Sequence, residues 1–211
     1  MIIKLSNVYK KFGENIVLEN INLSLKKGKI YGFIGRNGSG KTMLFNVICG
    51  FVKVNSGSVI INGLDISDKG IFPQNIRALI DRPKFLPFLT GYQNLELLAS
   101  INNTIGKDEI LCSLKEVNLL KHKDKLYSKY SLGMKQKLGI AQVLMENPEI
   151  MIFDEPFNGL DDESVGKIRN LLLNLKEQGK LILIATHIKE DIEMLCDEVY
   201  KMEDGKIIDN L

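Results

Sequence analysis

The sequence predicts an α/β fold: a mainly parallel sheet with helices on both faces, an antiparallel β region at the N-terminus and a helical insert in the middle. Three observations predict it. Compact apolar runs such as "KIYGFI", "EIMIFDE" and "LILIA" alternate with stretches of helical period, the arrangement that covers a parallel sheet on both faces. The N-terminal segments "MIIKLSNVYKKF" and "NIVLENINLSLKKGK" read as strands that follow one another without a helix, with polar and apolar residues alternating in "NINLSL". Residues 91–146 carry no strand signal and read as helical throughout.

Taken in order, the two N-terminal strands lead into "KIYGFI", a buried strand. A helix fits "GKTMLFNVIC" from Gly40, and Gly50 is placed to end it. "GSVIING" and "IRALI" are short strand candidates. The insert supplies "YQNLELLASI", "KDEILCSLKEVNLL" and "SLGMKQKLGIAQVLMEN" as helices. "EIMIFDE" returns to strand, and "DESVGKIRNLLLNLKEQG" is a helix with Asp161 or Asp162 as N-cap and Gly179 beyond its end. "KLILIATH" is a strand, "IKEDIEML" a helix and "DEVYKMEDGKIIDNL" a closing hairpin. No repeat, low-complexity tract or linker divides the chain. It reads as a single domain over residues 1–211, with a core of 1–88 and 147–211 and a helical subdomain at about 89–146.

The 211 residues are 45% apolar and 26% charged, with a formal net charge of +2. This is the balance of an ordinary globular chain with a sizeable core. The charge is too small for a nucleic-acid surface. No apolar run approaches the ~18 residues of a membrane helix, and the N-terminus has no secretory pattern. Cys49, Cys112 and Cys196 are odd in number and far apart, so they read as buried free thiols rather than a disulfide or zinc set. The expectation is a cytoplasmic protein that works at a membrane only if another subunit holds it there.

"GRNGSGKT", Gly35–Thr42, fits G-x-x-x-x-G-K-[ST] at every fixed position, between a predicted strand and a predicted helix. Small residues at Gly35, Gly38, Ser39 and Gly40 let backbone N–H groups turn inward onto phosphate oxygens, with Arg36 and Asn37 completing the loop. The helix N-terminus aims its positive end at the same charge. Lys41 would face the β- and γ-phosphates of ATP, and the Thr42 hydroxyl would ligate Mg²⁺. Met43 follows in the first turn.

Hydrolysis also needs a carboxylate for the metal and a base for water. "IMIFDE" places Asp154 and Glu155 at the C-terminal end of a buried strand, the end at which ligands bind in open α/β sheets. Asp154 suits the Mg²⁺ shell, and Glu155 suits the attacking water. His187 ends "LILIATH", within reach of a γ-phosphate. His122, in "KHKDK", reads as solvated.

Over essentially its full length, the chain resembles the ATP-binding subunits of ABC transporters. The order of motifs carries the resemblance. "GRNGSGKT" is similar to the Walker A loop and "IMIFDEP" to Walker B. "YSLGMKQKLGIA" is similar to the signature motif, "NGLD" to the D-loop with Asp161, and His187 to the switch histidine. Phe12 falls where the family places an aromatic on adenine, with Val17 nearby. The resemblance implies that two such subunits, as a homo- or heterodimer, close head to tail around two ATP molecules. Each ATP would then lie between Walker A of one protomer and the signature of the other, so Ser131, Gly133 and Met134 would act in trans. It also implies a separate transmembrane permease and a position on the inner face of the membrane.

Two departures stand out. The common LSGGQ signature is here Tyr130, Ser131, Leu132, Gly133 and Met134, and Asp81 stands where the family has its Q-loop glutamine. An acidic residue there together with "YSLGM" resembles the bacitracin- and lantibiotic-type exporter ATPases. Many of that group carry a C-terminal extension. The expectation is an exporter ATPase for a peptide or drug. The alternative is a soluble ATPase of the same family, such as one for iron–sulfur cluster assembly.

Overall fold

The computed structural model describes residues 2–68 and 71–210. In chain order, β1 (Ile3–Phe12) and β2 (Asn15–Leu25) precede β3 (Lys29–Ile34) and helix α1 (Lys41–Ile48). Then come β4 (Ser56–Ile61), β5 (Leu64–Asp65) and β6 (Ile76–Leu79). The helical stretch holds α2 (Gly91–Asn102), α3 (Lys107–Glu116) and α4 (Leu132–Leu144), with short 3₁₀ turns at Leu120–His122 and Tyr127–Lys129. The chain continues through β7 (Ile150–Asp154), α5 (Asp162–Glu177), β8 (Leu181–Ala185), α6 (Lys189–Leu195), β9 (Glu198–Glu203) and β10 (Lys206–Asn210).

The strands divide into two sheets. One is antiparallel, in the order β2-β1-β4-β5. The other runs β10-β9-β3-β8-β7-β6. Its neighbours are parallel except β9 and β10, which form the terminal hairpin. The mainly parallel core and the N-terminal antiparallel region are thus both present.

Period-2 alternation explains why the central strands have no polar face. Ile150 and Ile152 of β7, with Leu181 and Leu183 of β8, pack toward α1 and the antiparallel sheet. Met151 and Phe153, with Ile182 and Ile184, pack on the other side against Leu138 of α4 and Leu172 of α5. Both faces are buried, so these strands read as unbroken apolar runs. Each such side chain contributes about 1.5–3 kcal/mol relative to exposure.

Some local readings shift. "KDEILCSLKEVNLL" does not stay helical to its end: α3 stops at Glu116, and Asn118 takes a left-handed φ of 54°, a conformation that Asn tolerates and that ends a helix. Asp161, not Asp162, caps α5, its carboxylate accepting from the Ser164 amide at 2.9 Å. Cys49 is buried, but Cys112 is exposed and Cys196 intermediate, so burial holds for one of the three. His122 is exposed.

Candidate functional site

β3 delivers the chain to the glycine loop at the centre of the parallel sheet, and α1 leaves it. Gly40 caps α1 with φ 103°, and a Cβ there would lie 2.9 Å from the Val17 carbonyl oxygen. Only glycine fits both constraints. Lys41 is buried. Its Nζ donates to the carbonyls of Gly35 at 2.8 Å and Arg36 at 3.1 Å, and to Ser39 Oγ at 3.4 Å. The lysine thus runs back under its own loop, while Arg36, Asn37 and Gly38 stay exposed. The β9–β10 turn braces the loop from behind, with Gly205 N donating to Ser39 O at 3.0 Å.

β7 ends beside this loop. Thr42 Oγ1 donates to Asp154 Oδ2 at 2.6 Å, so the two groups expected at one metal are in direct contact. Burial pushes the Asp154 carboxyl above the usual carboxylate range. The Thr42 bond opposes that shift, and the charges of Glu155 and Asp81 add to it. A cation bound here would relieve the same strain. Among the described residues, no three His, Cys, Asp or Glu side chains cluster to hold a metal. Mg²⁺ does not require that: it is usually held by one or two carboxylates plus phosphate and water. The pair Thr42 and Asp154 fits such a site.

Glu155 follows with φ 51°. Its amide donates to the Ala185 carbonyl at 2.8 Å, joining the ends of β7 and β8. Its Oε2 lies 2.9 Å from His187 Nδ1. His187 therefore contacts the carboxylate, and it is not itself among the residues that line the cleft. A buried network holds the His187 backbone. Asp191, fully buried, accepts from Arg169 Nε at 2.9 Å and from Thr186 Oγ1 at 3.2 Å, and Thr186 Oγ1 in turn accepts from Ile188 N at 3.1 Å.

The phosphate loop, Asp154 and Glu155 border one cleft of about 800 Å³, lined by Val17, Asn37 to Met43, Asp81, Asp154 and Glu155. Arg82, Lys84, Leu132, Gln136 and Asn158 also line it, and sequence reasoning missed them as site residues. For Arg82 and Lys84 there was a signal: two cations within three residues of Asp81 in "DRPKF". For Gln136 there was none, because a polar residue in a helical pattern reads as solvated. Gly35 and Arg36 face an adjoining groove of about 490 Å³ with the β9–β10 turn. Phe12 is not in the cleft wall. It stands 52% exposed with Lys10 Nζ 4.5 Å from its ring centroid, so it is not a core aromatic.

Of the residues Ser131 to Met134, only Leu132 borders this cleft. Ser131 caps α4, its hydroxyl accepting from Met134 N at 3.2 Å, and it is exposed. Gly133 touches the D-loop of its own chain: a Cβ there would lie 2.8 Å from the Gly159 carbonyl oxygen. Ser131, Gly133 and Met134 do not line the cleft that holds Lys41.

A phosphate loop, a hydroxyl–carboxylate pair and a carboxylate–histidine pair on one parallel sheet define a nucleotide-hydrolysing cassette. The family model for the ABC transporter matches residues 18–158, and the chain belongs to that family, whose cassettes bind and hydrolyse ATP. It is 38% identical over 212 residues to the bacitracin transport ATP-binding protein BcrA of Enterococcus faecalis, covering 100% of this chain and 69% of that one. It is 34% identical over 207 residues to the lantibiotic transport ATP-binding protein SrtF of Streptococcus pyogenes, covering 98% and 89%. The ATP-binding cassette MJ0796, solved as a dimer bound to ADP and Pi, superposes with a TM-score of 0.90 at 27% identity over 99% of this chain and 97% of that one.

Proposed function

We propose that this chain is the ATPase subunit of an exporter. Two copies, or this chain and a related one, close around two ATP molecules and drive a separate membrane-spanning subunit that moves a peptide or drug. The observation that carries this reading is the convergence of Lys41, Thr42, Asp154 and Glu155 on one cleft, while the exposed cap of α4, Ser131, is not part of its lining. A serine hydroxyl and free amides at a helix N-terminus suit an anion. Placed outside the chain's own cleft, they suit the ATP of a second protomer. Among the described residues no helix is long and apolar enough to cross a membrane, which fits a partner that supplies the span. The bacitracin- and lantibiotic-transport relatives favour export.

In this reading Lys41 and the loop amides hold the phosphates, and Thr42 and Asp154 hold Mg²⁺. The bound Mg²⁺ would neutralise charge on the transferring phosphoryl group. Glu155 accepts a proton from the attacking water, and His187 fixes the direction of that carboxylate. Ser131, Gly133 and Met134 complete the opposite site, and Asp161 holds the D-loop by capping α5. Residues 89–146 act as a helical subdomain within a single domain. The test is purification from membranes of the native host: a multi-span subunit should co-purify, and its presence should change the ATPase rate. A chain recovered only with soluble assembly factors would point to the cluster-assembly alternative and sink the exporter reading.

Two substitutions probe the edges of the site. Phe12→Ala should weaken ATP binding by about 1–3 kcal/mol if the exposed ring stacks on adenine, borrowing the scale of base–aromatic stacking. Phe12→Tyr should be nearly silent. Calorimetry on both variants decides, and an unchanged affinity in Phe12→Ala removes the assignment.

Asp81 leaves the end of β6 with φ 60° and lines the cleft, and the loop after it exposes Leu86 and Phe88. A carboxylate one methylene shorter than Gln suits contact with Mg²⁺ through water. The apolar loop suits the membrane subunit. Asp81→Ala should keep ATP binding, lower turnover and abolish the partner's effect on the rate, with Asp81→Glu better tolerated. If Asp81→Ala retains both the basal rate and the partner's effect, Asp81 is a surface acid.

A further inference from the structure

We propose that Gln136 is a positioning residue for Glu155, and that it ties the catalytic carboxylate of each protomer to the signature helix of the same chain. The proposal rests on the ATPase reading above, and its coupling half rests on the head-to-tail dimer.

Glu155 is held in a conformation that its own chemistry disfavours. Among the described residues, every other non-glycine residue with positive φ is Asn or Asp, whose short side chains tolerate that region. Glu has no such compensation. Strain of this kind costs about 1–3 kcal/mol and persists only where the surroundings over-determine it. Three contacts do so here. The Glu155 amide donates to Ala185 O at 2.8 Å. The carboxylate lies 2.9 Å from His187 Nδ1. Gln136 Nε2 donates to the Glu155 carbonyl at 3.2 Å and to the Pro156 carbonyl at 3.0 Å.

An amide nitrogen carries two N–H donors, so one side chain satisfies both carbonyls. Gln136 is only 6% exposed, and water cannot readily replace it. It lies on α4, whose cap is Ser131 and whose first turn packs through Gly133 against Gly159. A displacement of the signature end of α4 therefore pulls on the peptide that aims the Glu155 carboxylate. In a head-to-tail dimer, Ser131 and Glu155 of one chain serve different ATP molecules. Gln136 then reports engagement of one site to the base of the other.

The test is Gln136→Met, which keeps length and apolar bulk and removes both donors. A base misplaced by ångström-scale motion loses up to about 10²-fold in rate. The expected result is a kcat lower by about 10- to 100-fold with KM for ATP within about twofold, the pattern of a lost transition-state contribution. An unchanged kcat, or a raised KM at unchanged kcat, overturns the proposal. Mixed dimers then separate the two ends of α4. Gln136→Met mixed with Ser131→Arg should regain one working site, because Glu155 of the second chain and Ser131 of the first are both intact. Gln136→Met mixed with Lys41→Ala should stay inactive. The reverse pattern means that Gln136 serves the signature and not Glu155, and the proposal falls. Ser131→Arg mixed with Lys41→Ala is the control. If that pair fails to regain activity while still forming dimers, it is the shared-site dimer that fails, and the kcat and KM of Gln136→Met alone still decide the positioning role. Gln136→Leu, read in the same way, replaces Gln136→Met if the latter does not fold.

Discussion

Glu155→Gln binds ATP with near-native affinity and hydrolyses it about 10²–10⁴-fold more slowly, the scale of a lost general base. That is the expected result because the substitution leaves the framework of this residue intact. The amide bond to Ala185, the carbonyl bonds from Gln136 and the buried Asp154–Thr42 pair do not involve the altered atoms. Gln keeps the shape and length of Glu, and its amide can accept from or donate to His187 Nδ1, so the contact survives in either tautomer. Only the capacity to accept a proton from water is lost. Binding and chemistry should therefore separate: calorimetry reports ATP affinity, and a steady-state assay reports turnover. If protomers separate only after hydrolysis, the variant also accumulates as an ATP-bound dimer on a sizing column. Turnover near the native rate would remove Glu155 from the chemical step, and Asp81 and His187 would be the remaining candidates in reach.

Glu155 also marks how far the sequence could be read. Its place at a strand end was legible because "IMIF" is a four-residue apolar run closed by the carboxylates Asp154 and Glu155, and β7 forms over Ile150–Asp154. The phosphate loop was legible because its residue types answer to a local constraint, the left-handed turn into α1 at Gly40. The Asp161 cap was legible to within one residue for the same local reason. Contacts between distant segments were not legible. Nothing near Gln136 in sequence shows that it reaches Glu155 and Pro156. Nothing in "THIKEDI" shows that Asp191 is buried against Arg169 and Thr186, since an acid in a charged helix reads as solvated. The sheet that β4 joins was equally hidden. β4 pairs with β1 and not with β3, its predecessor in the chain, a choice made by which apolar faces meet. Cys112 fails the same way: a cysteine favours burial in general, but its place on α3 faces outward.

Lys41→Ala should bring the largest combined loss, in binding and in turnover. In the structure the Lys41 ammonium already meets Gly35 O, Arg36 O and Ser39 Oγ, so it is preorganised inside the loop and not free to wander into solvent. A phosphate entering the loop finds that charge in place and desolvated, together with the amides at the start of α1. Removing it takes away at least one charge-assisted hydrogen bond to phosphate, about 1.5–3 kcal/mol, which is about 10- to 150-fold in affinity. Turnover should fall further, because the same charge offsets what develops on the phosphoryl oxygens in the transition state. The variant also strips the Gly35 and Arg36 carbonyls of a donor, so a loss of function could come from a collapsed loop. Lys41→Arg separates the two causes. It keeps the charge and can still satisfy carbonyls, yet its planar fork does not reproduce a compact ammonium beneath the loop. If only loop integrity matters, Lys41→Arg recovers both binding and turnover. If the point charge at the phosphates matters, Lys41→Arg recovers the thermal unfolding midpoint while turnover stays low. Calorimetry that finds native Mg·ATP affinity in Lys41→Ala would refute the placement of the β- and γ-phosphates over this residue.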